Sequence, residues 1–202
     1  MKKGLMIVIS GPAGSGKGTV NAHLLKTGDF VYSVSATTRQ PRPGEKDGVN
    51  YHFISHEEFK ERIASGDMLE YTEYCGNFYG TPRKEAEMIL AEGKNLILEI
   101  EVEGAKNVKK KYPEAVLIML LPPSFSIQER RLRSRGTETE EKILARLSRT
   151  RDEVPQISEY DYVVINDDFR DSDAADMIMS IVRAEKCSMK RNADISKKYF
   201  EN

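Results

Sequence analysis

Residues 5–19 read LMIVISGPAGSGKGT, a short apolar run that breaks into a glycine-rich turn ending in Lys17 and Thr19. Leu5, Met6, Ile7, Val8 and Ile9 are continuously apolar and rich in β-branched side chains, which suits a strand buried on both faces of a parallel sheet. The strand is expected to end at Ser10. Gly11, Gly14, Gly16 and Gly18 then let the backbone turn tightly and aim N–H groups inward, with Pro12, Ala13 and Ser15 completing the loop. A helix is expected from Thr19 onward (TVNAHLLK), so its N-terminus and positive dipole end face the same place. Lys17 adds a mobile full charge suited to β- and γ-phosphates. The spacing GxxxxGK is met from Gly11 to Lys17, but Gly18 stands where the usual motif has Ser or Thr, and Thr19 follows one place later. That departure implies a Mg²⁺ held largely by nucleotide oxygens and water, with Thr19 as a candidate protein contribution.

The composition narrows what can surround such a loop. A chain of 202 residues with 39% apolar content supports one large core with excursions, or at most two small domains. The 31 Lys and Arg nearly balance the 32 Asp and Glu, for a net charge of −1. There is no global pull towards nucleic acid or an anionic membrane, and any cationic site must be local. Cys75 and Cys187 form no CxxC and no metal-ligand spacing, so both read as ordinary free thiols in a reducing compartment. The apolar run after Met1, Lys2 and Lys3 is too short for a signal peptide, and no run is long enough to span a bilayer. A cytoplasmic chain with no nucleic-acid or membrane partner is expected.

Further strands are expected at residues 95–100 (NLILEI), 115–121 (AVLIMLL) and 162–165 (YVVI). Between them, residues 81–92 (TPRKEAEMILAE) read as a helix, with Pro82 at a first helical position and Gly93 as the stop. This alternation predicts an α/β chain, a parallel sheet flanked by helices with the phosphate loop after its first strand. Two stretches break the rhythm. Residues 35–80 are aromatic and turn-rich, and residues 126–146 are dense in arginine. Both are candidate flaps over the site, because phosphoryl transfer requires water to be excluded.

The first excursion carries Arg39 and Arg42 around Pro41, with Tyr51 downstream and the turn GNFYGT supplying Tyr79 and Thr81. Planar guanidinium groups grip phosphate oxygens two at a time, and the hydroxyls can add further bonds, which implies a second phosphate site. Taken singly, these residues are as compatible with a solvated loop. Glu99 and Glu101 sit in and just after an apolar strand, at the expected C-terminal edge of the sheet where ligands of such sheets bind.

GPAGSGKGT, SVSATTRQPRPGE, LEYTEYCGNFYGT, LEIEVEGAK and SRGTETEEKILARLS follow one another across most of the chain. Together they resemble the guanylate kinase family from about residue 5 to residue 185. The resemblance implies a P-loop nucleoside monophosphate kinase fold. Its core would comprise residues 1–34, 82–125 and 147–202, with a GMP-binding domain at 35–81 and a lid at 126–146. It implies transfer of the γ-phosphoryl of ATP to GMP with Mg²⁺, with a homodimer left open. By the same resemblance, residues 11–19 and Asn166 would bind ATP, and Ser35, Arg39, Arg42, Tyr51 and Tyr79 would hold the GMP phosphate. Glu70, Thr81 and Glu101 would read the guanine. Guanine offers N1–H and N2 donors that carboxylates accept and adenine does not present in that pattern. Glu101 stands where the family has Asp, so the carboxylate is kept on a longer arm. Glu99 is expected nearer the metal and phosphates. Arg135 and Arg146 would close on the ATP phosphates, and with Lys17 and Arg39 would carry the catalysis. Rival readings are a kinase for another monophosphate, a non-catalytic binding module of the same type, and a P-loop NTPase acting on macromolecules. Non-catalytic modules of this type usually lose the loop lysine and lid arginines, whereas Lys17, Arg135 and Arg146 are all present here.

Overall fold

The computed structural model describes residues 3–74, 76–134, 136 and 139–200. Cys75 and Arg135 therefore lie outside the described residues, whereas Cys187 is an exposed free thiol. Five parallel strands form the central sheet: β1 (Met6–Ser10), β2 (Phe30–Tyr32), β7 (Asn95–Glu99), β8 (Val116–Leu121) and β9 (Tyr162–Ile165), in the order β2-β7-β1-β8-β9. The pairing sets Ile7 opposite both Ile97 and Val116, and Ile9 opposite Glu99 and Ile118.

Strand alternation splits the apolar runs cleanly between two cores. Ile7, Ile9, Ile97, Ile118 and Leu120 pack on one face with Val20 and Leu24 of α1 (Lys17–Lys26) and Ile178 of α7 (Asp171–Cys187). Met6, Val8, Leu96, Leu98 and Leu117 pack on the other, with Leu90 of α3 (Arg83–Ala91) and Ala105 and Val108 of α4 (Val102–Lys111). Helices cover both faces, so the strands read as unbroken apolar runs.

A second sheet of four strands, β4-β3-β6-β5, is built from β3 (Ala36–Thr37), β4 (His52–Phe53), β5 (Met68–Tyr74) and β6 (Asn77–Pro82). It packs on α2 (His56–Ala64), whose Phe59 is fully buried and stacks on Phe78 at 5.3 Å. Ser55 caps α2 by accepting a hydrogen bond from the Glu58 N–H at 3.0 Å. The helix expected from residue 81 starts instead at Arg83. Thr81 pairs with Glu70 inside β6, and Pro82 is extended at ψ 125°, the cap rather than the first helical residue.

Two helices, α5 (Phe125–Ser134) and α6 (Glu140–Glu153), bury Leu132, Ile143 and Leu147 against Ala13 of the glycine-rich loop. At the C-terminal end, Arg191 donates to Glu185 at 2.9 Å and to the Glu114 carbonyl at 2.6 Å, pinning the start of a charged tail that ends in α8 (Ile195–Phe200). Among the described residues no helix is long and apolar enough to cross a membrane.

Candidate active site

The loop between β1 and α1 is shaped by what surrounds it. Gly16 has φ 89° and forms the left-handed cap of α1, and a Cβ there would lie 2.3 Å from the Asn166 amide nitrogen. Gly18, by contrast, has nothing within 4 Å of a Cβ built on it, so its lack of a side chain is not a packing requirement. The loop carbonyls are taken by donors from other elements: Gln128 Nε2 to Ala13 at 2.9 Å, Arg131 Nη1 to Gly14 at 3.4 Å, and Asn166 Nδ2 to Ser15 at 2.9 Å. Carbonyls held in this way orient the intervening peptides so that N–H groups can face an anion on the other side. Asn166 is buried, and its amide also reaches Asp171 at 3.1 Å, so its side chain is turned to the loop. Asp168 pairs with Arg131 at 2.8 Å and with Arg130, fixing the α5 side of this clamp. Lys17, first residue of α1, donates from Nζ to the Gly11 carbonyl at 2.5 Å.

Two cavities of about 500 Å³ each open beside this loop. The first is walled by Ser35, Arg42, Tyr51, Glu70 and Tyr79 on the second-sheet side and by Ala13, Arg146, Arg149 and Glu153 on the loop and α6 side. The second holds Lys17, Tyr32 and Thr81. Ser35, Tyr51, Glu99 and Glu101 line both, so the two spaces adjoin. Eight of the residues singled out from sequence, spread from Ser35 to Arg146, thus share the first wall.

Glu70 is 2% exposed, and its register partner Thr81 donates to Oε1 at 2.8 Å. Burial pushes its carboxyl above the usual range; the Thr81 hydrogen bond and the charge of Lys111 oppose this. A buried carboxylate with one oxygen already satisfied is an acceptor awaiting a donor, and a ligand N–H edge would supply one. Glu99, at the C-terminal end of β7, accepts at Oε2 from Asn21 Nδ2 at 2.9 Å and from the Tyr32 hydroxyl at 3.2 Å. Burial, then the Glu99 charge, raises the Tyr32 phenol well above its ordinary value. Glu101 stands at the N-cap position of α4, where its side chain makes no capping bond, and accepts from Arg149 Nη2 at 3.4 Å.

Arg39 is engaged differently. Its Nη2 sits 2.9 and 3.0 Å from the two oxygens of Glu45, and its guanidinium lies 5.6 Å from the Tyr51 ring centre. The Glu45 carboxyl is held low, first by this bond and then by the Arg42 N–H. Glu45 was not singled out from sequence, although it closes the same PRPGE turn. Asn21, Gln128, Asp168 and Glu153 were likewise missed. Asn21 carries a signal, lying one turn after Lys17 on the same helix, whereas the others become visible only once the chain is folded.

A parallel sheet in this order, a glycine-rich loop after β1 and a cleft walled by a second small sheet and a helical pair define a P-loop nucleoside monophosphate kinase fold. The family model described as guanylate kinase matches residues 3–185. The chain belongs to the guanylate kinase family. A guanylate kinase of Clostridium tetani is 47% identical over 194 residues, 96% of this chain and 92% of its own length. One of Desulfitobacterium hafniense is 50% identical over 189 residues, covering 93% and 94%. The crystal structure of guanylate kinase from Anaplasma phagocytophilum superposes with a TM-score of 0.75 at 35% identity, covering 95% of this chain and 90% of that one.

Proposed function

We propose that the chain transfers the γ-phosphoryl group of ATP to GMP, forming ADP and GDP by direct in-line displacement. Beyond family membership, one observation carries the choice of acceptor: the buried Glu70–Thr81 pair sits in the adjoining cavities with Ser35, Arg42, Tyr51 and Tyr79, next to the lysine loop. In this reading Glu70, Thr81 and Glu101 take the guanine edge, and Ser35, Arg42, Tyr51 and Tyr79 take its phosphate. Arg39 joins them with Glu45 ordering the turn. Adenine has no matching pair of donors and would leave the buried acceptor unpaired, a cost that favours GMP.

Residues 11–19 cradle the donor phosphates, with Asn166 bracing the loop from behind. Residues 35–81 serve as the acceptor domain and 126–146 as the lid, on a core of 1–34, 82–125 and 147–202. The acceptor phosphate oxygen is already anionic, so the reaction needs no general base. The task is to align two highly charged groups and offset their repulsion, which Lys17, Arg146, Arg135 and Arg39 suit. A Mg²⁺ bound with the nucleotide would offset the negative charge of the transferring group. The Glu99 carboxylate, with Oε2 fixed by Asn21 and Tyr32 on the cavity wall, fits the holding of water on such an ion, and Thr19 stands in the first turn of α1.

Product balance tests the reading. With ATP, Mg²⁺ and GMP, ADP and GDP are expected to form one for one, with inorganic phosphate negligible. ADP accumulating with phosphate while GMP stays intact would mark a hydrolase instead.

A further inference from the structure

Arg149 is shared between two carboxylates on the wall of the first cavity. Its Nε forms an ion pair with Glu153 at 2.8 Å, one turn further along α6, and its Nη2 reaches Glu101 across the cavity at 3.4 Å. The first is a close ion pair, while the second is a hydrogen bond at the outer limit of its range. Glu153 is otherwise poorly placed. It is the last residue of α6, at the end of the dipole that disfavours an anion, and its side chain is only 12% exposed. Burial, then the neighbouring Glu101 charge, pushes its carboxyl up, against the opposing charges of Arg149 and Lys17. A carboxylate kept where burial and the dipole both oppose its charge differs from a solvated surface pair, and the transfer chemistry above gives it no task.

We propose that Glu153 is a positioning residue for acceptor binding: by holding Arg149 at Nε it limits that arginine's grip on Glu101 and keeps the Glu101 carboxylate available to the base of GMP. The inference rests on the assignment of Glu101 to guanine. A guanidinium divided between two anions binds each less firmly than it would bind one. When Glu153 is neutral, the Arg149 charge turns to Glu101, and guanine must displace a stronger ion pair to reach it.

Titration of the full chain with GMP alone, without ATP, reads this directly. Glu153→Gln is expected to raise the GMP Kd about threefold or more, the size of a modest ion-pair rearrangement. The double variant Glu153→Gln/Arg149→Gln is expected to return to the wild-type Kd or below. Glu153→Asp, which keeps the charge, is expected to stay within about twofold of wild type. A merely structural role would not let a second substitution restore affinity. Should Glu153→Gln fail to fold, Arg149→Gln alone serves: it is expected to bind GMP at least as tightly as wild type, and weaker binding would overturn the proposal. An unchanged Kd in Glu153→Gln, or a double variant as weak as the single one, would also overturn it. Failure of the wild-type chain to bind GMP would instead overturn the acceptor assignment itself.

Discussion

Lys17→Met is expected to lower kcat by about a thousandfold or more while leaving the fold intact. In the proposed mechanism the loss follows from removing a full charge placed on the transferring group, in chemistry where positioning and charge stabilisation do nearly all the work. Methionine keeps most of the apolar stem, and what is forfeited among the described residues is the bond from Nζ to the Gly11 carbonyl together with the Lys17 charge near Glu153. Lys17 is only half-buried, so that carbonyl can be solvated, and the stability cost is about 1 kcal/mol. For a chain of this length, that is a fall in Tm of about 2–4 °C. Steady-state kinetics at saturating ATP and GMP, paired with thermal unfolding, checks both halves. A purified, folded variant retaining more than about a tenth of wild-type kcat would remove Lys17 from the transfer step.

Glu70→Gln is expected to raise the KM for GMP by about 10- to 100-fold and to leave the KM for ATP within about twofold, the cost of losing a hydrogen bond to a charged acceptor. Thr81 already occupies Oε1, so the amide can preserve that bond only by turning its NH₂ group towards the incoming donors. The pH dependence separates this from general damage. Burial raises the Glu70 pKa, so kcat/KM for GMP should fall on acidification at a higher pH than an ordinary carboxyl would give. That acid limb should vanish in the variant. The stability effect has the opposite sign to the usual paired carboxylate. With the folded pKa above the unfolded one, the native state binds more protons between the two, so stability is greatest below the unfolded pKa and is lost as pH rises through the folded pKa. Glu70→Gln removes that loss and should unfold at no lower temperature than wild type at neutral pH. Equal changes in both Michaelis constants would count against base reading.

The parts of the fold legible in the sequence are those set by local pattern. Met6 to Ser10 is buried along its whole length, as a continuous apolar run between two helical layers must be, and the glycine-rich turn at its end announces the phosphate loop. The second sheet was visible only as an aromatic, turn-rich interruption. β3 and β4 are two residues each, too short for any period, and are held by pairing with β6 and with one another. Site residues divide in the same way. Glu99 and Glu101 betray themselves as charges at the end of an apolar strand. Glu153 looks like any helical glutamate until α6 folds back beside Glu101, and Asn166 gives no sign in sequence that its amide closes on Ser15. Gly18 was marked as a departure because a hydroxyl is usual there. Folded, it has open space around it, so the departure does not come from the loop's packing.

The most direct measurement offers the chain ATP and Mg²⁺ with GMP, AMP, CMP or UMP in separate coupled assays. The buried acceptor pair at Glu70 and Thr81 predicts that GMP is turned over with a kcat/KM at least about a thousandfold above the others, in the range that unpaired buried polar groups impose on a wrong base. Comparable turnover of AMP or a pyrimidine monophosphate, or none with GMP, would contradict it.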